Sequence, residues 1–176
     1  NLNYYEDNSI QKFIIASFDI ECTSCDGGFP QSERIEDKVI QIGTTFHKYG
    51  ETECFYRHII TLGSCDKIDG ADVESYNTEQ EVLIAWTKLI KRINPDIITG
   101  WNIFGFDYVY LYDRSKLLDC HKEFSQLSRL IDEVSPFIDK NLSSSAMGDN
   151  RLRFYSMNGR VNIDLMKNVR NNYNLT

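Results

Sequence analysis

The chain has 176 residues, 41% of them hydrophobic and 12% aromatic, enough apolar material for one domain with a packed core and too much for a disordered segment. Its formal net charge of −7 argues against a generic basic nucleic-acid binder, and five cysteines without framework spacing point to a reducing compartment and against a disulfide scaffold. No apolar run approaches the roughly 18 residues that span a bilayer and no signal-peptide pattern is present, so no membrane partner is expected.

Residues 12–18 (KFIIASF) form an apolar, β-branched run that reads as a buried strand. Residues 22–37, with Gly27-Gly28 and Pro30, read as a loop. Residues 39–48 and 53–62 read as two further strands about a turn at Lys48-Tyr49-Gly50-Glu51, so an antiparallel meander of three strands is expected. Residues 63–77 are polar and read as a loop.

Thr78-Glu79-Gln80-Glu81 is a capping box, with the Thr78 hydroxyl placed to accept the third amide and Glu81 to reach back. A helix over about 79–93 follows, burying Val82, Leu83, Trp86, Leu89, Ile90 and Ile93 on one face, and Asn94-Pro95 ends it. Residues 96–100 read as a short strand and 106–118 as a second helix. Residues 127–150 are weakly patterned, with a mobile loop expected at Ser143-Ser144-Ser145. Asn158-Gly159 between alternating segments predicts a type I′ hairpin over about 151–164, since both central residues of that turn need positive φ. Another helix starts at 164. These elements predict an α/β layer fold with acidic residues at strand ends.

Charge is uneven. Residues 151–176 carry five basic side chains against Asp164 alone, a net +4, which leaves −11 on the first 150 residues. An acidic body suits a cation site; a basic end suits either a phosphate backbone or a solvated face.

Two acidic motifs carry the chemistry. Asp19 and Glu21 are two residues apart at the end of the first apolar run, so a continuing strand puts both on one face. Two carboxylates so placed repel unless a cation neutralises them, and magnesium takes oxygen ligands of this kind. Asp107 opens the second helix after Gly100-Trp101-Asn102-Ile103-Phe104-Gly105-Phe106. By itself Asp107 reads more readily as a helix N-terminal cap, and an Asp-x-Glu pair as surface charge. Taken together, the three acids read as a divalent-metal site for phosphodiester cleavage, in which two ions about 3.5–4 Å apart activate water and stabilise the leaving oxygen.

The surrounding residues sharpen this. Ser17-Phe18-Asp19-Ile20-Glu21-Cys22, Gly28-Phe29-Pro30, Val39-Ile40-Gln41-Ile42-Gly43 and Gly70-Ala71-Asp72-Val73 occur in order along the chain. They are followed by Asn94-Pro95-Asp96-Ile97-Ile98-Thr99-Gly100-Trp101-Asn102, Phe106-Asp107, Gly159-Arg160-Val161 and Asp164-Leu165. Over nearly its whole length the sequence resembles the 3′→5′ exonuclease domain of family B DNA polymerases, most closely the delta-like branch of eukaryotes and large DNA viruses. The resemblance implies a ribonuclease-H-like fold and proofreading. It implies Asp19, Glu21 and Asp107 as ligands of two Mg²⁺ or Mn²⁺ ions, and Asn102 and Phe106 as contacts of a frayed 3′-terminal nucleotide. A phenylalanine there also makes sense physically, because stacking on a base is sequence-tolerant; core packing for Phe106 and a turn role for Asn102 are the plainer readings. DNA, the polymerase domain of the same chain and a sliding clamp are the implied partners, in a nucleus or at a viral replication site.

The family's third motif, Tyr-x-x-x-Asp, is not found: Tyr49, Tyr110 and Tyr155 lead to Glu53, Arg114 and Gly159. The chain begins at Asn1 and holds no polymerase motifs, so a truncated exonuclease domain with little activity of its own is expected. A standalone acidic-cluster exonuclease and an inactive DNA-binding module are the alternatives. Among other residues, Cys22 and Cys25 lack the partners of a zinc site, Asp164 is expected to cap the following helix, Asp96 to fix the start of its strand, and Trp86 and Trp101 to lie in the core.

Overall fold

The computed structural model describes residues 11–144 and 148–173. At its centre is β1 (Ile14–Cys22), which runs further than the apolar segment predicts and carries the first acidic motif inside the strand. Strand alternation sends Ala16, Phe18 and Ile20 into the core and leaves Asp19 and Glu21 on the opposite, exposed face.

β2 (Val39–Lys48) pairs antiparallel with β1, and β3 (Tyr56–Leu62) antiparallel with β2, as the meander predicts. β4 (Asp72–Tyr76), in a stretch expected to be loop, pairs parallel with β3. Its charges hid it from pattern reading; Asp72 and Glu74 are what an edge strand needs to discourage further pairing. On the other side, β5 (Ile97–Gly100) pairs parallel with β1, and β8 (Val161–Asp164) parallel with β5, giving a mixed sheet ordered β4-β3-β2-β1-β5-β8.

α1 (Glu79–Ile93) starts with the predicted capping box and stops at Asn94, which takes the left-handed conformation (φ 57°). Its apolar face packs on the sheet: Trp86 lies 4.7 Å from the Phe18 ring and donates its indole N–H to the Thr44 hydroxyl at 3.2 Å. α2 (Asp107–Leu117) and the short α3 (His121–Phe124) complete this layer, and α4 (Leu165–Tyr173) follows β8. No helix among the described residues is long and apolar enough to cross a membrane.

The expected hairpin over 151–164 is not formed. β6 (Phe137–Ser144) pairs instead with β7 (Gly148–Tyr155) in a separate two-stranded ribbon, while β8 belongs to the main sheet. Met157 O does accept from Arg160 N at 3.1 Å, but only Gly159 has positive φ (82°). A type I′ turn needs two such residues, so this turn splays the chain from one sheet into the other instead of folding it back. The buried Arg160 side chain fixes the crossing by donating to Leu127 O, Asn94 Oδ1 and Pro95 O. Ser143 and Ser144 lie in β6; Ser145 falls outside the described residues.

Asp96 has its expected role: its carboxylate accepts from Ile14 N at 2.7 Å and pairs with Arg129 at 2.7 Å, aligning β5 with β1. Trp86 is buried as expected. Trp101 is not: it is 57% exposed, because the chain leaves the sheet at Gly100 and carries it onto the sheet face opposite α1. There it lines a groove of about 700 Å³ with Asp19, Gly43, Arg57, Ile68 and Leu165.

Candidate active site

β5 is shorter than its neighbour, and this creates the site. The pairing of β1 with β5 runs only from Ile15↔Ile97 to Ser17↔Thr99. At Gly100 a Cβ would stand 2.5 Å from Phe18 O, so the close crossing demands glycine. Beyond it β1 continues alone on this side, and the Ile20 N–H loses a strand partner. Asp107, the first residue of α2, fills the gap: its Oδ1 accepts from Ile20 N at 3.2 Å. Asp107 is only 1% exposed.

This burial, and next the negative charge of adjacent Asp19, push the Asp107 carboxyl up to about 7. Asp19 and Asp107 are thus brought together across 88 positions of sequence. Glu21 stands two residues further along the same strand face. Among the described residues no three His, Cys, Asp or Glu side chains are close enough to cage a metal unaided. The donor set nevertheless suits a hard divalent cation: two neighbouring carboxylates, one desolvated and held from ionising by the other, are stabilised together by positive charge between them.

The connection from β5 to α2 is a tight loop. Asn102 has positive φ (59°), and its carbonyl accepts from Gly105 N and Phe106 N, both at 2.9 Å. Its amide side chain lies directly against Gly105, leaving no room for a Cβ there. Asn102 is therefore a turn residue whatever else it does. Phe106 is half-buried, not core; its ring meets Tyr110 at 5.3 Å and, edge-on, Phe29 at 5.2 Å. Phe29 is 70% exposed. The two phenylalanines, Gly105, Tyr110 and Arg153 line a cleft of about 180 Å³, where Arg153 donates to Gly105 O at 3.0 Å.

Phe29 was missed by sequence reasoning except as part of a resembling motif; the available signal was an aromatic in a Gly/Pro loop. Its loop is held firmly from below. Arg114, fully buried on α2, pairs with Glu79 through Nε (2.7 Å) and Nη2 (2.5 Å) and donates to Ser32 O and Arg34 O. Glu79 in turn accepts from Val39 N at 2.9 Å, and Tyr110 Oη donates to Asp37 O at 2.8 Å. Cys22 is an inert thiol beside this frame, pushed up to about 12 by burial.

A site of paired carboxylates at the end of a central strand, flanked by exposed aromatic rings, is that of a nuclease-type hydrolase. Residues 1–176 match the family described as the DNA polymerase family B exonuclease domain, and the chain belongs to that family. Its mixed sheet with antiparallel first strands and flanking helices is the ribonuclease-H-like arrangement of such a domain, and the family is a metal-dependent one. The chain is 50% identical over 139 residues to a DNA polymerase of Pyramimonas orientalis virus, covering 79% of the chain and 12% of that protein. It is 47% identical over 113 residues to a DNA polymerase of Acanthamoeba polyphaga mimivirus, covering 64% of the chain and 6% of that protein. With the DNA polymerase delta catalytic subunit of Oryza sativa subsp. japonica it shares 39% identity over 171 residues, 97% of the chain and 15% of that protein. The chain therefore spans a small fraction of each relative's length.

Proposed function

We propose that this chain is the proofreading domain of a longer DNA polymerase, hydrolysing the 3′-terminal phosphodiester of single-stranded or frayed DNA. The observation that carries this is the buried Asp107 carboxyl beside Asp19, a like-charged pair that a cation would stabilise, one position along the chain from Phe106, whose ring lines an aromatic cleft with Phe29. Asp19, Glu21 and Asp107 would hold Mg²⁺ or Mn²⁺, with two ions in the complete site. When bound, the cations supply activation of water and charge compensation for the departing 3′ oxygen. The chain's own residues bind and orient. Phe106 and Phe29 offer ring faces to unpaired bases, which no duplex end can use without fraying. Asn102 holds the loop that presents Phe106, and Arg153 brings positive charge to the same cleft, where a phosphate would pass.

DNA synthesis by the parent protein, a polymerase domain in the same chain and a sliding clamp as partner follow from the relatives' nature and belong to this proposal. So does a place of work in a nucleus or at a viral replication site.

The test uses the full-length protein and a 5′-labelled oligonucleotide with a mismatched 3′ end. Excision that requires Mg²⁺ or Mn²⁺ is expected, lost in Asp19→Ala and Asp107→Ala while extension of a matched primer persists. Excision at equal rates in wild type and both variants, or none in the wild type with either metal, would overturn it.

A further inference from the structure

Asp164 ends β8 opposite Gly100, in the last register of the parallel pair, and is buried. A lone helix cap would use one carboxylate oxygen on its own helix. Asp164 uses both, on two separate segments. Oδ1 accepts from Met166 N at 3.0 Å and Lys167 N at 3.4 Å, which caps α4, and also from Asn102 N at 3.1 Å. Oδ2 accepts from Phe104 N at 3.0 Å. Four amide protons thus converge on one carboxylate, and two of them belong to the loop that leads into Phe106 and Asp107.

The rest of that loop's backbone bonding turns inward. Gly105 N and Phe106 N donate to Asn102 O, and Tyr108 N donates to Ile103 O. Outside it, among the described residues, the Arg153 side chain reaches Gly105 O. The left-handed Asn102 and the close crossing at Gly100 leave the loop a single narrow route out of the sheet. Its height over β1, and with it the reach of Asp107 to Ile20, is set where the loop is gripped, and that grip is Asp164.

We propose that Asp164 is a positioning residue for hydrolysis: it fixes the loop that carries Asn102, Phe106 and Asp107, and fastens it to the N-terminus of α4, so that loop and helix hold one arrangement. This rests on the function proposed above. The chemistry selects a carboxylate because Oδ1 is already shared by α4 and Asn102, and Phe104 N takes Oδ2; a hydroxyl caps a helix but has no second oxygen for Phe104.

Asp164→Ser separates the two tasks, since the shorter serine can retain the cap of α4 while it removes the acceptor for Phe104 N and withdraws from Asn102 N. In the full-length protein, amide exchange of residues 101–106 should rise at least about tenfold in this variant, with α1 unchanged. Excision of a 3′-mismatched oligonucleotide should fall about tenfold to a hundredfold in kcat, and the half-saturating Mn²⁺ concentration should rise severalfold. A purely structural loss would lower the active fraction and leave that concentration where it is. Asp164→Asn, which keeps Oδ1 and replaces only the acceptor for Phe104, should fall between Asp164→Ser and wild type and guards against a serine variant that fails to fold. Unchanged loop exchange in a folded Asp164→Ser protein overturns the proposal, whether or not the wild type excises. Faster exchange with unaltered excision and unaltered Mn²⁺ dependence in an active enzyme overturns it as well. Wild-type inactivity with a loosened variant loop counts against the hydrolytic function, and leaves Asp164's hold on the loop established.

Discussion

The two ends of α2 carry buried charge in opposite states. Arg114, two turns below Asp107 on the same helix, is fully enclosed, yet each of its donors finds a partner in Glu79 or in the carbonyls of the loop after β1. Asp107 is equally enclosed, but receives one amide and faces another negative charge. A buried charge that is matched holds structure, and one left unmatched marks a candidate site. The same helix thus pins the platform under Phe29 at one end and presents an unsatisfied acid at the other.

The largest effect is expected from removing the unmatched end. Asp107→Ala or Asp19→Ala should lower excision by about a thousandfold or more, measured as single-turnover loss of a 3′ nucleotide, with little cost in urea stability. A folded Asp107→Ala protein that excises normally would erase the distinction between the two ends.

Breaking the matched end should show the reverse. Arg114→Ala strands Glu79 and the loop carbonyls in the interior, and should cost about 3–5 kcal/mol of unfolding free energy in urea titration. Milder losses of excision should follow from a loosened Phe29 loop, appearing in KM before kcat.

The pH dependence distinguishes the ends further. The Asp107 carboxyl titrates at about 7 in the fold and at about 3.9 in an unfolded chain. Its folded value is raised, so its favourable share of stability is complete below about pH 4 and is lost as pH rises through 7. Without divalent cations, wild-type unfolding free energy should therefore decline by up to a few kcal/mol between pH 5 and 8, and Asp107→Asn should flatten that decline. Added Mg²⁺ should raise the wild-type melting temperature at pH 8 and leave Asp107→Asn unmoved. A wild-type profile that stays level would show that neither burial nor Asp19 raises this carboxyl.

The smallest effect concerns the approach to the matched end. Thr78→Ala removes the capping box of the helix that begins with Glu79, and should cost about 1 kcal/mol in thermal melts while excision is retained.

Much of the site was legible in the chain because its signals are local. Period-two alternation placed Asp19 and Glu21 on one face of a strand, and Asn94-Pro95 and the capping box bounded α1 to the residue. Other elements were not legible. β4 carries too many charges to look like a strand, and β6 and β7 are patterned only against each other and against the Tyr155 cluster beneath them. Asn158-Gly159 looked like a hairpin because its dipeptide is right, but one positive φ and the Arg160 anchor send the chain elsewhere.

By itself, then, the order of residues determined the mixed α/β class, the first three strands, the bounds of α1 and the identity of the candidate acids. Only the tertiary structure decided that Asp107 is buried against β1, that Trp101 stands in the open, that Phe29 joins Phe106, and that Asp164 grips the loop between them. The physical reason is range. Periodicity and capping act within a few residues, whereas the desolvation and like-charge repulsion that prepare Asp107 arise from contacts across nearly ninety positions, which no local pattern records.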